Sequence, residues 1–120
     1  MNSHKDLIVW QKSMSFVEEI YSLTKGFPDE EKYGLTAQLR RASVSILSNI
    51  SEGAARHGKK EFGHFLYMGL GSVAEVETQL ELARRLHFAS DSAVNCQLQK
   101  ITEIRRMIQG MISHLDSVKD

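Results

Sequence analysis

The sequence predicts an all-α protein, an antiparallel up-down-up-down four-helix bundle, formed as a single domain over residues 1–120. Three observations predict it. The 120 residues include one proline, Pro28, so long stretches are free of helix breakers. Apolar residues recur at spacings of three and four, while the period-two alternation of half-buried strands is absent. Four such segments are separated by short polar or glycine-bearing connections, and helices joined this way pack most simply with neighbours in alternating directions. A chain of this length can bury a core without disulfide or metal staples.

The first helix is expected over about residues 6–25, with Asp6 as its cap and Leu7, Trp10, Met14, Val17 and Tyr21 forming a heptad-like core seam. The next seam position is the polar Thr24, and the helix gives way to "GFPDEEKYG", an acidic turn or short helix between Gly26 and Gly34. The second helix is expected over about 36–57, capped by Thr36 and stopped by Gly58. Its core face comprises Leu35, Leu39, Ala42, Ile46, Ile50 and Gly53. The third covers about 60–87, some 40 Å at 1.5 Å per residue, with Phe62, Phe65, Leu66, Gly69, Val73, Val76, Leu80 and Ala83 inward. Ser90 or Asp91 caps the fourth, over about 91–118, whose core face is Val94, Leu98, Ile101, Ile104, Ile108, Ile112 and Leu115.

One stripe per helix satisfies a four-helix bundle, yet two helices carry more. The first has a second apolar line, Val9, Phe16, Ile20, Leu23 and Phe27, turned by about 100° from its seam. The third carries Met68, Leu82 and Leu86 in line with Glu75 and Gln79, well off its core face. Left uncovered, these residues would make a larger apolar surface than soluble monomers tolerate, so they are the candidate interface of a homo-oligomer. The competing reading is a scatter of exposed apolar side chains, which is ordinary on protein surfaces.

The segment "RRASVSILSNISEGAAR", residues 40–56, is polar for a helix body. Ser45, Asn49, Glu52 and Arg56 form one line about 90° from the core direction at Ile46. Partial burial there demands hydrogen-bond partners, and Ser72 and Glu75 of the third helix are candidates. A structural polar network of Ser45, Asn49, Glu52, Ser72 and Glu75 would fix helix register and partner choice. A ligand or nucleic-acid contact and a catalytic site are the other readings of the same residues.

Other motifs carry less chemistry. "GLGSVAE", residues 69–75, has the glycines of a phosphate loop but follows helical sequence and lacks the loop lysine. Gly69, Gly71 and Ser72 are read instead as a place for close backbone approach. His57, Glu61 and His64 include one Glu-x-x-His pair, whereas di-iron bundles need two and further carboxylates. The five histidines contain no i, i+4 pair, and no nucleophile, base and orienting group stand together in a catalytic pattern. No metal or other cofactor is expected, and Cys96 is read as a structural thiol.

Composition narrows the partners. Fifteen basic and fifteen acidic residues cancel, seven of each within residues 1–57 and eight of each within 58–120, so no global field draws in nucleic acid or an anionic membrane. The local basic cluster Arg56, Lys59 and Lys60, with Arg40 and Arg41 further along the same helix, would bind phosphates only if an oligomer multiplied it. A lone cysteine suits a reducing compartment, and the absence of an apolar run of about 18 residues or a signal-like N-terminus points to the cytoplasm.

The segments "LIVWQKSM", "FPDEEKYGLTAQLRRASVSILSNISEGAAR" and "FLYMGLGSVAEVETQLELA" resemble the bacterial four-helix-bundle proteins named after intervening sequences of 23S ribosomal RNA genes. The similarity runs in order through nearly the whole chain. Its most specific part is Tyr33-Gly34-Leu35, Gln38, Arg41-Ala42, Ser45-Ile46, Asn49-Ile50, Glu52-Gly53 and Arg56, then Gly71-Ser72 and Glu75. Leu47 stands where the family often has proline and Ser51 where it often has alanine. The resemblance implies a ring-like homopentamer. It also implies kinship with accessory variability determinants of diversity-generating retroelements, which bind a reverse transcriptase and nucleic acid through basic surfaces. The expected function is a non-enzymatic oligomeric adaptor for a protein or ribonucleoprotein. The alternative is direct binding of RNA or single-stranded DNA through Arg40, Arg41, Arg56, Lys59 and Lys60.

Overall fold

The structure, a computed structural model, describes residues 4–117. Four α-helices account for most of them: α1 (Ile8–Thr24), α2 (Leu35–Ala55), α3 (Lys59–Arg85) and α4 (Asp91–Ser117), with short 3-10 turns at His4–Asp6 and Asp29–Glu31. There is no strand among the described residues. α1 packs on α2 and α4, and α3 packs on the same two, which gives an elongated body of 50 × 21 × 20 Å.

The helix starts show how local sequence sets the boundaries. Leu7 occupies the capping position of α1 without a side-chain cap bond, and the Asp6 side chain expected there lies outside the described residues. α2 begins one residue before the expected Thr36, with Gly34 at the cap. The Glu31 carboxylate, presented by the preceding 3-10 turn, accepts the Leu35 N–H at 3.0 Å, so a residue four back supplies the acceptor that Thr36 does not. Ser90 caps α4 by accepting the Ala93 N–H at 3.2 Å. α3 ends where His87 adopts a positive φ of 62°. The Phe88 N–H then reaches back to the Ala83 carbonyl at 2.9 Å.

The core faces of α2, α3 and α4 follow the sequence periodicity, with Leu39, Ile46, Ile50, Leu66, Val73, Val76, Leu80, Ile101, Ile104 and Ile108 fully buried. Phe62, Phe65, Leu98 and Leu115 are half-buried at the core margin. The phase of α1 differs from expectation. Val9, Phe16, Ile20 and Phe27, assigned to an oligomer interface by the sequence, are 2, 2, 0 and 5% exposed and form this chain's own core, where a second copy does not reach them. Leu23 is half-buried against the same core. The seam read as core lies instead on the flank: Met14 and Val17 are half-buried and Tyr21 is exposed.

The physical reason is that the true core line passes through two hydroxyl residues, Ser13 and Thr24, both buried. Thr24 meets the cost by donating to the Ile20 carbonyl at 2.8 Å, a bond that a helix offers to any threonine four residues on. Trp10 is displaced to the margin, where its indole N–H can donate to Ser51 Oγ at 2.8 Å.

Contacts also define the two ends of the body. At one end the turn after α1 meets the turn after α3, through Phe27 and Phe88 with ring centroids 5.7 Å apart. At the other end the start of α1 meets the end of α2 through Trp10 and Ser51. There too the end of α2 meets the start of α3, where Gly53 lies against Phe62 and Phe65.

Candidate functional site

The polar segment of α2 turns its Ser45 and Asn49 flank toward α3. Ser72 Oγ donates to Ser45 Oγ at 2.9 Å across the helix pair. Asn49 Nδ2 donates to the carbonyl of Ser45 at 2.9 Å and to its hydroxyl at 3.2 Å. One serine therefore collects a bond from the next helix and two from its own, a neutral network that holds register without burying charge. Glu52 and Glu75 stand apart from it. Glu52 is exposed and faces Arg56 at 3.6 Å, one turn along α2. Glu75 is exposed, and with Gln38, Arg41, Ala42, Ser45 and Gln79 it lines a groove of about 290 Å³ between α2 and α3.

Below this groove the helices approach closely at Gly53. A Cβ there would lie 2.9 Å from both Phe62 Cδ1 and Phe65 Cβ, inside any normal contact distance. Gly69 and Gly71, read from the sequence as the close-approach positions, do not have that role within this chain. A Cβ on Gly69 would make ordinary contacts at 3.9 Å, and one on Gly71 would meet open space.

The five basic residues do not form one surface. Arg40 is used internally: its Nε donates to Thr24 Oγ1 at 2.7 Å, its Nη2 donates to the Tyr21 carbonyl at 3.2 Å, and its guanidinium lies 4.5 Å from the centre of the Tyr21 ring. It clasps the end of α1 to the start of α2, so part of its hydrogen-bonding capacity is used within the chain. Arg56 lies 5.2 Å above the Phe65 ring and close to Glu52. Lys59 is half-buried, while Arg41 and Lys60 are exposed, Arg41 in the α2–α3 groove and Lys60 in the first turn of α3.

Besides Ile8 at the start of α1 and Tyr67 on α3, the exposed apolar side chains fall on two faces and one tip. On α3, Met68, Leu82 and Leu86 are each close to half exposed and recur on one side of the helix, with Gly71 and Glu75 between them. On the α1–α2 side Tyr21 and Val44 are exposed beside half-buried Met14 and Leu47. Tyr33 projects from the turn before α2 at 88% exposure.

Two features carried no sequence signal because they depend on how α1 is phased against α4. The first is a charged seam: Lys12 Nζ pairs with Glu103 at 2.7 Å, and Glu19 accepts from Lys100 and, at 3.1 Å, from Gln97 Nε2. The hydrogen bond from Lys100 holds the Glu19 carboxyl below its ordinary pKa, helped by Gln97 and opposed by burial, and the same bond raises Lys100. The second is a groove of about 700 Å³ where the start of α1 and of α3 meet the end of α4. Leu7, Ile8, Phe62, Met107, Met111 and Leu115 make its walls, and His114 is its one titratable lining residue.

Among the described residues no three His, Cys, Asp or Glu side chains gather as a metal site, and no helix is long and apolar enough to cross a membrane. Cys96 is an exposed free thiol on α4.

Comparison with known proteins places this geometry. A crystal structure of a protein of unknown function from the S23 ribosomal protein family of Bacteroides thetaiotaomicron VPI-5482 superposes with a TM-score of 0.82 at 27% identity, covering 88% of this chain and 96% of that one. No curated protein matches the chain. The family model described as 23S rRNA-intervening sequence protein matches residues 5–110, a span that takes in the α2–α3 network, the charged α1–α4 seam and most of α4. The chain belongs to the 23S rRNA-intervening sequence protein family.

Proposed function

We propose that this protein is a non-enzymatic, homo-oligomeric adaptor for a protein or ribonucleoprotein partner, built from helices that alternate up and down and close into a ring of five copies. The alternating direction is supported by the paired ends: Trp10 with Ser51 at one end of α1, and Thr24 with Arg40 at the other. The observation that carries the oligomer is the exposed line of Met68, Leu82 and Leu86 on α3, which nothing in the chain's own core covers. A ring requires that one face meet a different face of the next copy. The α1–α2 side, with Tyr21, Val44, Met14 and Leu47, is the complementary apolar face, and Gly71 leaves room for a close approach. Five is the number that the family resemblance implies.

Light scattering with size-exclusion chromatography tests this reading. The wild-type protein is expected at five times the mass of one 13.6 kDa chain, and Leu82→Lys with Leu86→Lys is expected to return it to single folded chains. A wild-type protein that runs as a monomer at every concentration sinks the proposal. Direct nucleic-acid binding has weaker support, because Arg40 and Arg56 already hold partners in their own chain and Arg41 sits beside Glu75 in one groove.

A further inference from the structure

Both lateral apolar faces are interrupted by a charge, and the two charges are opposite in sign. On α3, Glu75 stands seven residues from Met68 and seven from Leu82, so its carboxylate belongs to the same line of the helix. It is exposed, and among the described residues it has neither an ion pair nor a hydrogen bond, although Arg41 lines the same groove. On the α1–α2 side, Arg40 shares a line with Val44 and Leu47 at spacings of four and three. Its guanidinium is held against the Tyr21 ring by donating to Thr24 Oγ1 and to the Tyr21 carbonyl, both neutral acceptors. The charge therefore meets no carboxylate among the described residues, and the remaining N–H groups are left over.

We propose that in the lateral assembly described above, on which this inference rests, Glu75 of each copy pairs with Arg40 of the next. Covering the Met68 and Leu82 line takes Glu75 out of water with it, and an unpaired carboxylate so enclosed costs several kcal/mol. The covering surface must bring a cation as well as apolar groups. The α1–α2 side brings both, and its arginine is already fixed by Thr24 and Tyr21, so little side-chain freedom is lost on pairing. The levels agree as well. The bond from Ser72 to Ser45 marks one height in the bundle. With α2 and α3 running in opposite directions, Glu75 lies three residues (about 4.5 Å) from that height, and Arg40 five residues (about 7.5 Å) toward the same end. Copies related by rotation about an axis along the bundle keep their heights, so the two groups differ in level by only about 3 Å. The pair also chooses the kind of assembly. Two α3 faces would set Glu75 against Glu75, and two α1–α2 faces Arg40 against Arg40, so two-fold dimers are disfavoured and the head-to-tail contact that closes a ring is selected.

The test is sedimentation velocity over a concentration series on the full chain, with circular dichroism and a urea melt for every variant. Glu75→Arg and Arg40→Glu are each expected to weaken assembly by about thirtyfold or more, the ordinary loss when one partner of a desolvated charge pair is removed. Mixing these two variants is expected to restore association in equal proportions, because each altered face meets the opposite charge on the other variant while the unaltered faces form the original pair. Arg41→Ala is expected to assemble as wild type does. A wild type that stays monomeric removes the lateral reading itself and this inference with it. An assembled wild type whose Glu75→Arg form assembles equally well overturns the inference and leaves the ring standing. So does a mixture of the two folded variants that stays monomeric. A loss in Arg41→Ala as large as that in Glu75→Arg also overturns it, by assigning the carboxylate to the groove of its own chain. Should Arg40→Glu lose its fold along with the Thr24 bond, Glu75→Gln decides: weaker assembly with a flatter salt dependence supports the pair, and assembly of unchanged strength and salt dependence overturns it.

Discussion

The α2–α3 and α1–α4 seams of the same bundle are held by different physics. α2 and α3 meet through small and neutral groups: Ser45, Asn49 and Ser72 exchange hydrogen bonds, and Gly53 brings the backbone of α2 against Phe62 and Phe65. α1 and α4 meet over Phe16 and Ile104, with the ion pairs Lys12–Glu103 and Lys100–Glu19 along the rim of a groove of about 410 Å³. Contacts that depend on fit are insensitive to salt and intolerant of added volume, whereas half-exposed ion pairs are screened and forgiving. The bundle therefore has a fixed seam and a compliant one.

The largest expected effect comes from removing the apolar floor of the compliant seam. Phe16→Ala takes a fully buried ring from between α1 and α4 and is expected to cost about 3–5 kcal/mol by chemical denaturation. Tyr21→Ala, on the line that sequence spacing favours as core, is expected to cost far less. Equal losses would show that the phase of α1 assigned by burial is wrong.

That pair of substitutions also marks how far the sequence was legible. The four helices, their boundaries to within a few residues and the core faces of α2, α3 and α4 could be read from apolar spacing, because those faces are mostly uninterrupted aliphatic residues. In α1 two apolar lines compete, and the true one is broken by Ser13 and Thr24. Spacing alone cannot see that a threonine hydroxyl is satisfied by its own helix and by Arg40. The Ser45, Asn49 and Ser72 positions were legible as a polar flank. The engagement of Arg40 was not, because it rests on a contact between residues sixteen apart in the chain.

An intermediate effect is expected at the fixed seam. Gly53→Ala forces a methyl group to within 2.9 Å of Phe62 and Phe65 and is expected to destabilise the fold by about 1–3 kcal/mol, despite the gain in helix propensity. A melt equal to or higher than wild type would show that α2 and α3 can part there at little cost.

The smallest effect is the response of the compliant seam to pH. The folded-state pKa of Glu19 lies below its unfolded value, so its contribution to stability is present above the unfolded pKa and is lost as pH falls through the folded one. Lys100 is shifted upward, so its share is present below its unfolded pKa and is lost as pH rises through the folded one. Urea denaturation is expected to show acid weakening that is shallower in Glu19→Gln, and hydrogen exchange in α1 is expected to quicken with added salt more than in α2. Parallel responses of the two helices would remove the distinction between the seams.

Cys96, the one cysteine of the chain, is exposed in the second turn of α4. A maleimide dye therefore marks every copy once and at the same place, with no engineered site. Energy transfer between differently dyed copies would then report subunit exchange in real time, and the natural thiol becomes a ruler for the assembly.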